Sequence, residues 1–271
     1  MSQKKKIEDV KLDKIYSYSK IQKFKKCPLN YYFYYLDPKW KGYKEPKDYN
    51  TKGSAVHDAI TLFYYLPKEK RNFKNLRDFL YKAWFSEKEP EKTPPLGKIG
   101  GFEDINHERK VYSEALMVLK NFYEIGDIAP SIFYLPTENI KYSFSDYSDL
   151  VQPINDNDFI SGKFDRIDKL EDGTLRIIDY KTSKNHNNKF QLDFYRILAE
   201  LNFNIPVTKV SFYYLDRKEI ADFPSSDTPK KEIKQKILED ILRIKETQNY
   251  EPRPSALCGH CDFKKICPIF K

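Results

Sequence analysis

A chain of 271 residues is long enough to bury a sizeable core, and 40% hydrophobic content with only nine glycines excludes a disordered or low-complexity protein. The net charge of +8 suits a polyanionic partner, although 39 lysines against nine arginines is also the profile that AT-rich codon usage produces. No run approaches the roughly 18 apolar residues of a spanning helix, and the opening Met1–Lys6 lacks the apolar stretch of a signal peptide. No membrane association and a cytoplasmic location are expected, and structural disulfides are uncommon there.

In chain order, residues 15–36 carry an N-cap signal at Tyr16–Ser19, then Ile21, Phe24, Leu29, Tyr32 and Phe33 at helical spacing. One or two short helices are predicted, divided at Cys27-Pro28, because proline fits a first turn. Residues 37–50 read as a Lys/Pro/Tyr-rich loop, and a helix is predicted from Gly53 through His57 to about Tyr65. Residues 67–135 are charge-rich and helical in pattern, broken by Pro90, Pro94, Pro95 and Gly100-Gly101, and form an inserted helical lobe. From Glu138 the period changes to two: Ile140, Tyr142 and Phe144 alternate with polar residues, as in a strand. Phe159–Leu170 and Thr174–Tyr180 flank Glu171-Asp172-Gly173 as the arms of a hairpin. A helix over 188–203, a strand over 208–215 and an amphipathic helix over 229–248 follow, and no internal repeat is present.

The chemistry-bearing stretch begins at Gly162-Lys-Phe-Asp165 and continues across the hairpin to Asp179-Tyr180-Lys181. Asp179 and Lys181 are two apart on a strand, so their side chains leave the same face, and Asp165 lies across the pair. Two carboxylates and an ammonium on one side of a sheet suit a hard divalent cation and the activation of a water. Asp-x-Lys by itself is commonly a surface salt bridge; the wider constellation carries the argument. His57 lies on an upstream helix, and Gln191 and Tyr195 lie at i, i+4 on the downstream one.

All four cysteines also fall in one arrangement: Cys27, then Cys258-x2-Cys261-x5-Cys267 near the end. Four thiolates suit a tetrahedral zinc or an iron–sulfur cluster, and such a site would clamp the C-terminal segment to the first helices. His260 lies inside the triplet as a neighbour or alternative ligand. The aromatic run Tyr31–Tyr35 beside Cys27 reads as core and shielding in preference to a base-stacking platform.

This order of elements resembles the RecB-like branch of the PD-(D/E)XK nucleases: His after a small-residue helix start, Gly-x-x-Asp, Asp-x-Lys, and Gln-x-x-x-Tyr. The resemblance implies an α/β, restriction-endonuclease-like mixed sheet flanked by helices, forming one nuclease domain over 1–271. That domain would carry the insertion at 67–135 and cluster-binding elements at 16–36 and 252–271. It implies that His57, Asp165, Asp179 and the Tyr180 carbonyl ligate Mg²⁺ or Mn²⁺, that Lys181 activates water, and that Gln191 and Tyr195 support the site and the DNA backbone. The literal Pro-Asp is absent, since Phe164 precedes Asp165. Glu138 stands where relatives often carry an acid and remains outside the core set.

The cysteine spacing resembles the iron–sulfur exonucleases of this branch, related to AddB-type nuclease domains and the CRISPR-associated adaptation exonuclease, which implies a 4Fe–4S cluster; zinc is the alternative. The implied activity is a DNA exonuclease on single-stranded ends in repair, recombination or phage DNA processing, with a possible helicase or integrase partner. A CRISPR-adaptation trimming nuclease and a non-catalytic DNA-binding scaffold are the alternatives.

Overall fold

The computed structural model describes residues 12–37, 42–85, 95–136, 150–183 and 188–270. The strand expected around Ile140–Phe144, together with Glu138, lies outside them, as does the opening hexapeptide.

Local signals set the first elements. A short strand β1 (Ile15–Ser17) leads into α1 (Tyr18–Lys26), whose N-cap Ser17 accepts from the Lys20 amide at 3.1 Å. Cys27 is extended and breaks the helix, and Pro28 opens α2 (Pro28–Tyr35). Helix α3 (Asp48–Tyr65) starts five residues earlier than its Gly53 signal, taking in the end of the expected loop. Asn72 caps α4 (Phe73–Trp84) and Asp104 caps α5 (Ile105–Ile125), each accepting from the amide three residues on.

The segment expected to be a helical lobe does not end in helix. Ile132–Tyr134 forms β2, which pairs antiparallel with the strand β5 (Arg166–Lys169). The main sheet runs β2-β5-β6-β7-β8, with β6 (Leu175–Lys181), β7 (Val207–Tyr214) and β8 (Glu219–Pro224). The sheet is mixed: β6 and β7 are parallel, joined through α6 (Phe190–Phe203), and the other pairings are antiparallel. Strand β8 is an edge strand, and its exposed side chains give only a weak sequence signal.

The run 159–170 is not one strand. Phe159–Ser161 (β4) belongs to a second sheet of order β1-β4-β3, with β3 at Val151–Pro153, and the chain crosses to the main sheet over residues 162–165. Gly162 makes that crossing against α6: a Cβ there would lie 3.0 Å from Leu198 Cδ2 and 3.2 Å from Tyr195 Cε1. The hairpin turn between β5 and β6 is as expected, with Gly173 at φ +80° where a side chain would be strained.

Alternation along β6 and β7 separates two cores. Leu175, Ile177, Val210 and Phe212 face α6 and α7 (Lys230–Glu246), packing with Phe194, Ile197, Leu198, Ile237 and Ile241. Ile178, Tyr180, Tyr213 and Leu215 face α3, α4 and α5, packing with Val56, Ile60, Leu80 and Phe122. The sheet is thus a middle layer with helices on both faces, and the helices of 67–135 share a core with it.

Candidate active site

The C-terminal end of β6 carries the chemistry. Because β6 is buried on both faces, the two charged side chains at this end meet in a confined space: Asp179 Oδ2 lies 2.7 Å from Lys181 Nζ, with 8% and 16% of their side chains exposed. Gln191, on the first turn of α6, bridges the pair. Its Oε1 accepts from Lys181 Nζ at 2.9 Å, and its Nε2 donates to Asp179 Oδ1 at 3.1 Å and reaches the Tyr195 hydroxyl at 3.4 Å. The i, i+4 pair thus spans the lysine, the carboxylate and the buried tyrosine in one chain of bonds.

Asp165 and His57 form the other half. Asp165 Oδ1 is 2.9 Å from His57 Nδ1, and its Oδ2 accepts from the Tyr180 amide at 2.8 Å. The Asp165 carboxylate therefore ties α3 to β6 at the residue between Asp179 and Lys181. His57, with 31% of its side chain exposed, marks the open side of the site. All six side chains singled out in the sequence lie within these two linked sets.

The site is electrostatically tense. Burial pushes the Asp179 carboxyl above its ordinary range; Lys181 opposes the shift, and the negative charge of Asp165 adds to it. At His57 burial works against the imidazolium, but the carboxylate of Asp165 and its hydrogen bond outweigh it, so the ring titrates above its ordinary value. Burial, reinforced by Asp179, also drives the Tyr195 hydroxyl far up, so it stays protonated.

Among the described residues, no three His, Cys, Asp or Glu side chains converge closely enough to hold a metal ion. The carboxylates point instead at Lys181 and His57. In kind, though, two carboxylates and an imidazole suit a hard divalent cation. One atom adds to the fit: Asp179 Oδ2 is buried, and its partner is the Lys181 ammonium at 2.7 Å, which stands where a cation would be held.

The cysteines are all free and half-buried. The fold brings the two ends of the chain together around them. The Arg253 amide lies 3.4 Å from Cys27 Sγ, Asn30 Nδ2 lies 3.2 Å from Cys261 Sγ, and the Leu29 amide donates to the Glu251 carbonyl at 3.3 Å. Cys258 Sγ sits 3.3 Å from the Ser255 amide, and Cys267 follows on the next short turns. His260 is exposed. The aromatic run packs here: Tyr31 is buried against Phe24 and Tyr250, Phe33 lies 5.2 Å from Phe263, and Tyr32 covers Tyr250 at 5.2 Å.

No described helix is long and apolar enough to cross a membrane. The chain matches the PD-(D/E)XK nuclease superfamily over residues 15–268, which includes both the first helices and the terminal cysteines. It is 26% identical over 274 residues to the Gene 69 protein of Mycobacterium phage D29, covering 94% of this chain and 97% of that one. The Gene 69 protein of Mycobacterium phage L5 is 29% identical over 106 residues, 36% of each chain. The chain belongs to the PD-(D/E)XK nuclease superfamily, and by that membership its activity class is that of a nuclease.

Proposed function

We propose that this protein is a Mg²⁺- or Mn²⁺-dependent DNA exonuclease acting on single-stranded ends, in the processing of phage or other mobile DNA. The observation that carries the reading is the meeting of Asp165, Asp179, Lys181 and His57 at one end of β6. His57, Asp165 and Asp179 would hold the cation, with the Tyr180 carbonyl as a further oxygen donor. When bound, the cation would stabilise negative charge on the phosphodiester under attack. Lys181 orients the attacking water and takes part in its deprotonation, while Gln191 holds the lysine against Asp179. Tyr195, kept protonated, offers a hydroxyl donor at the floor of the site and supports the DNA backbone with Gln191.

The whole chain is read as a single nuclease domain, with 67–135 as an insertion into the nuclease core. The phage origin of both relatives favours mobile-DNA processing over the CRISPR-adaptation alternative. A helicase or integrase would act as partner by exposing or receiving the single-stranded end. The four cysteines are read as ligands of a 4Fe–4S cluster, with zinc as the alternative; closeness of residues 27–30 to 253–261 supports a common site.

The test is cleavage of single-stranded DNA labelled at either end, with Mn²⁺ or with chelator. Stepwise shortening that needs the metal is expected. Cleavage unaffected by chelator would remove the metal, and internal nicking of circular single strands would remove the exonuclease assignment. Iron analysis of anaerobically purified protein tests the cluster: about four irons per chain and a brown colour are expected.

A further inference from the structure

Arg166 follows Asp165 directly and is completely buried on the opposite face of β5 from Ile167. Its guanidinium donates to the Tyr64 hydroxyl and, at 2.9 Å, to Asp168 Oδ2. Three tyrosine rings surround it, with centroids 4.8, 5.9 and 5.8 Å away for Tyr64, Tyr180 and Tyr213. The Tyr64 hydroxyl in turn donates to the Asp127 carbonyl at 2.8 Å, beyond the end of α5.

These partners belong to the elements that carry the active site. Tyr64 is seven residues after His57 on α3, two turns along the same face. Tyr180 separates Asp179 from Lys181 and pairs across the sheet with Tyr213. A guanidinium buried with one carboxylate is an expensive way to fill a core, and this one leaves Arg166 Nε and Asp168 Oδ1 without hydrogen bonds. Apolar residues would fill the same space without that penalty. A planar five-donor group does what they cannot: it fixes the rotation and height of α3 against β5 and β6 through directional contacts.

We propose that Arg166, with Tyr64 and Asp168, is a positioning assembly that sets His57 on α3 against Asp165 and Asp179, and so governs affinity for the divalent cation. The inference rests on the metal-dependent reading above, and it concerns residues that need not touch metal or DNA.

The full chain tests it in three forms beside the wild type: Tyr64→Phe, Arg166→Lys, and Arg166→Met combined with Asp168→Leu. Mn²⁺ binding is measured by calorimetry, the Mn²⁺ half-saturation of DNA cleavage is measured separately, and melting is followed in chelator. Tyr64→Phe and Arg166→Lys should weaken Mn²⁺ binding about 10-fold or more, the range found for groups that orient metal ligands. The double variant should melt close to the wild type, because an apolar pair replaces an ionic one, and should still lose Mn²⁺ affinity. Folded variants that bind Mn²⁺ as tightly as the wild type, with a lower melting temperature alone, overturn the proposal and leave the assembly a core ion pair. If the double variant does not fold, Tyr64→Phe decides by the same criterion. A wild type that neither binds Mn²⁺ nor cleaves DNA defeats the proposed function and this inference together; a wild type that does both while the variants match it defeats this inference only.

Discussion

The active-site corner and the cysteine-bearing tail are held by different means. Around β6, a polar chain runs from Lys181 through Gln191 to Asp179 and Tyr195, and a second joins His57, Asp165 and the Tyr180 amide. In the tail, residues 256–270 form three short turns with one buried side chain, Phe263, and no strand or α-helix. In the first region directional bonds link elements already packed in two cores. The second is attached by one buried aromatic, Phe263, the Lys47–Asp262 ion pair, the Asn30–Cys261 contact and a few bonds at Arg253 and Leu29. Loss of a polar group should therefore damage chemistry at the corner and damage attachment at the tail.

The largest effect should come from Asp179→Ala, which removes a proposed ligand and leaves the half-buried Lys181 ammonium without its carboxylate partner. Cleavage is expected to fall by about 10³-fold or more, in the upper range for lost general acid–base or metal function, with DNA binding retained. Single-turnover assays would check this, and wild-type rates in that variant would remove Asp179 from the site.

Phe263→Ala should be next. It empties the tail's anchor against Phe33 and is expected to cost about 3–5 kcal/mol by calorimetric melting. Cys27→Ser should resemble it in melting temperature and also lower the metal content. If Cys27→Ser changed neither, the thiols would have no shared ligand, and the tail would be held by Phe263 and its few polar contacts.

A smaller effect should follow Gly162→Ala, where the new methyl presses on Tyr195 and Leu198. A cost of about 1–3 kcal/mol is expected, together with a reduced cleavage rate through the disturbed Gln191–Tyr195 pair. Normal activity would show that the crossing can shift without moving α6.

The smallest effect concerns pH, and its sign follows from two upward shifts. His57 and Asp179 both hold a proton more tightly folded than unfolded, so their contribution to metal-free stability is present at low pH. It is lost as pH rises, beginning above the usual carboxylate value of 3.8 for Asp179 and above 6.5 for His57. Mn²⁺ binding competes with those protons and should strengthen over the same range. Melting curves in chelator and Mn²⁺ titrations from pH 5 to 8 would check both slopes, which should be opposite.

Much of the site was legible because its residues sit at periods that strands and helices fix. Asp179 and Lys181 at i, i+2 and Gln191 and Tyr195 at i, i+4 had to share faces once the elements were recognised. The network around Arg166 was not legible. Its tyrosines come from positions 64, 180 and 213, and no local period brings them together. The break at Gly162 was hidden because Phe159–Leu170 reads as one arm of a hairpin ahead of Glu171-Asp172-Gly173, while the switch between sheets depends on how closely α6 approaches. Strand β8 escaped because an exposed edge strand carries little hydrophobic contrast.

The meeting of residues 27–30 with 253–261 has a consequence for how the protein is made. The bonded pairs Cys27–Arg253 and Asn30–Cys261 are 226 and 231 positions apart, whereas Lys181 and Gln191 are ten apart. On a ribosome, the hairpin and α6 can assemble soon after they emerge, and α1 can dock once α6 is made, but the contacts of residues 27–30 with 251–261 wait for that later segment. A nascent chain thus brings Asp165, Asp179 and Lys181 together well before residues 27–30 meet 251–261. Formation of the contact between residues 27–30 and 251–261 is then a late event in biogenesis.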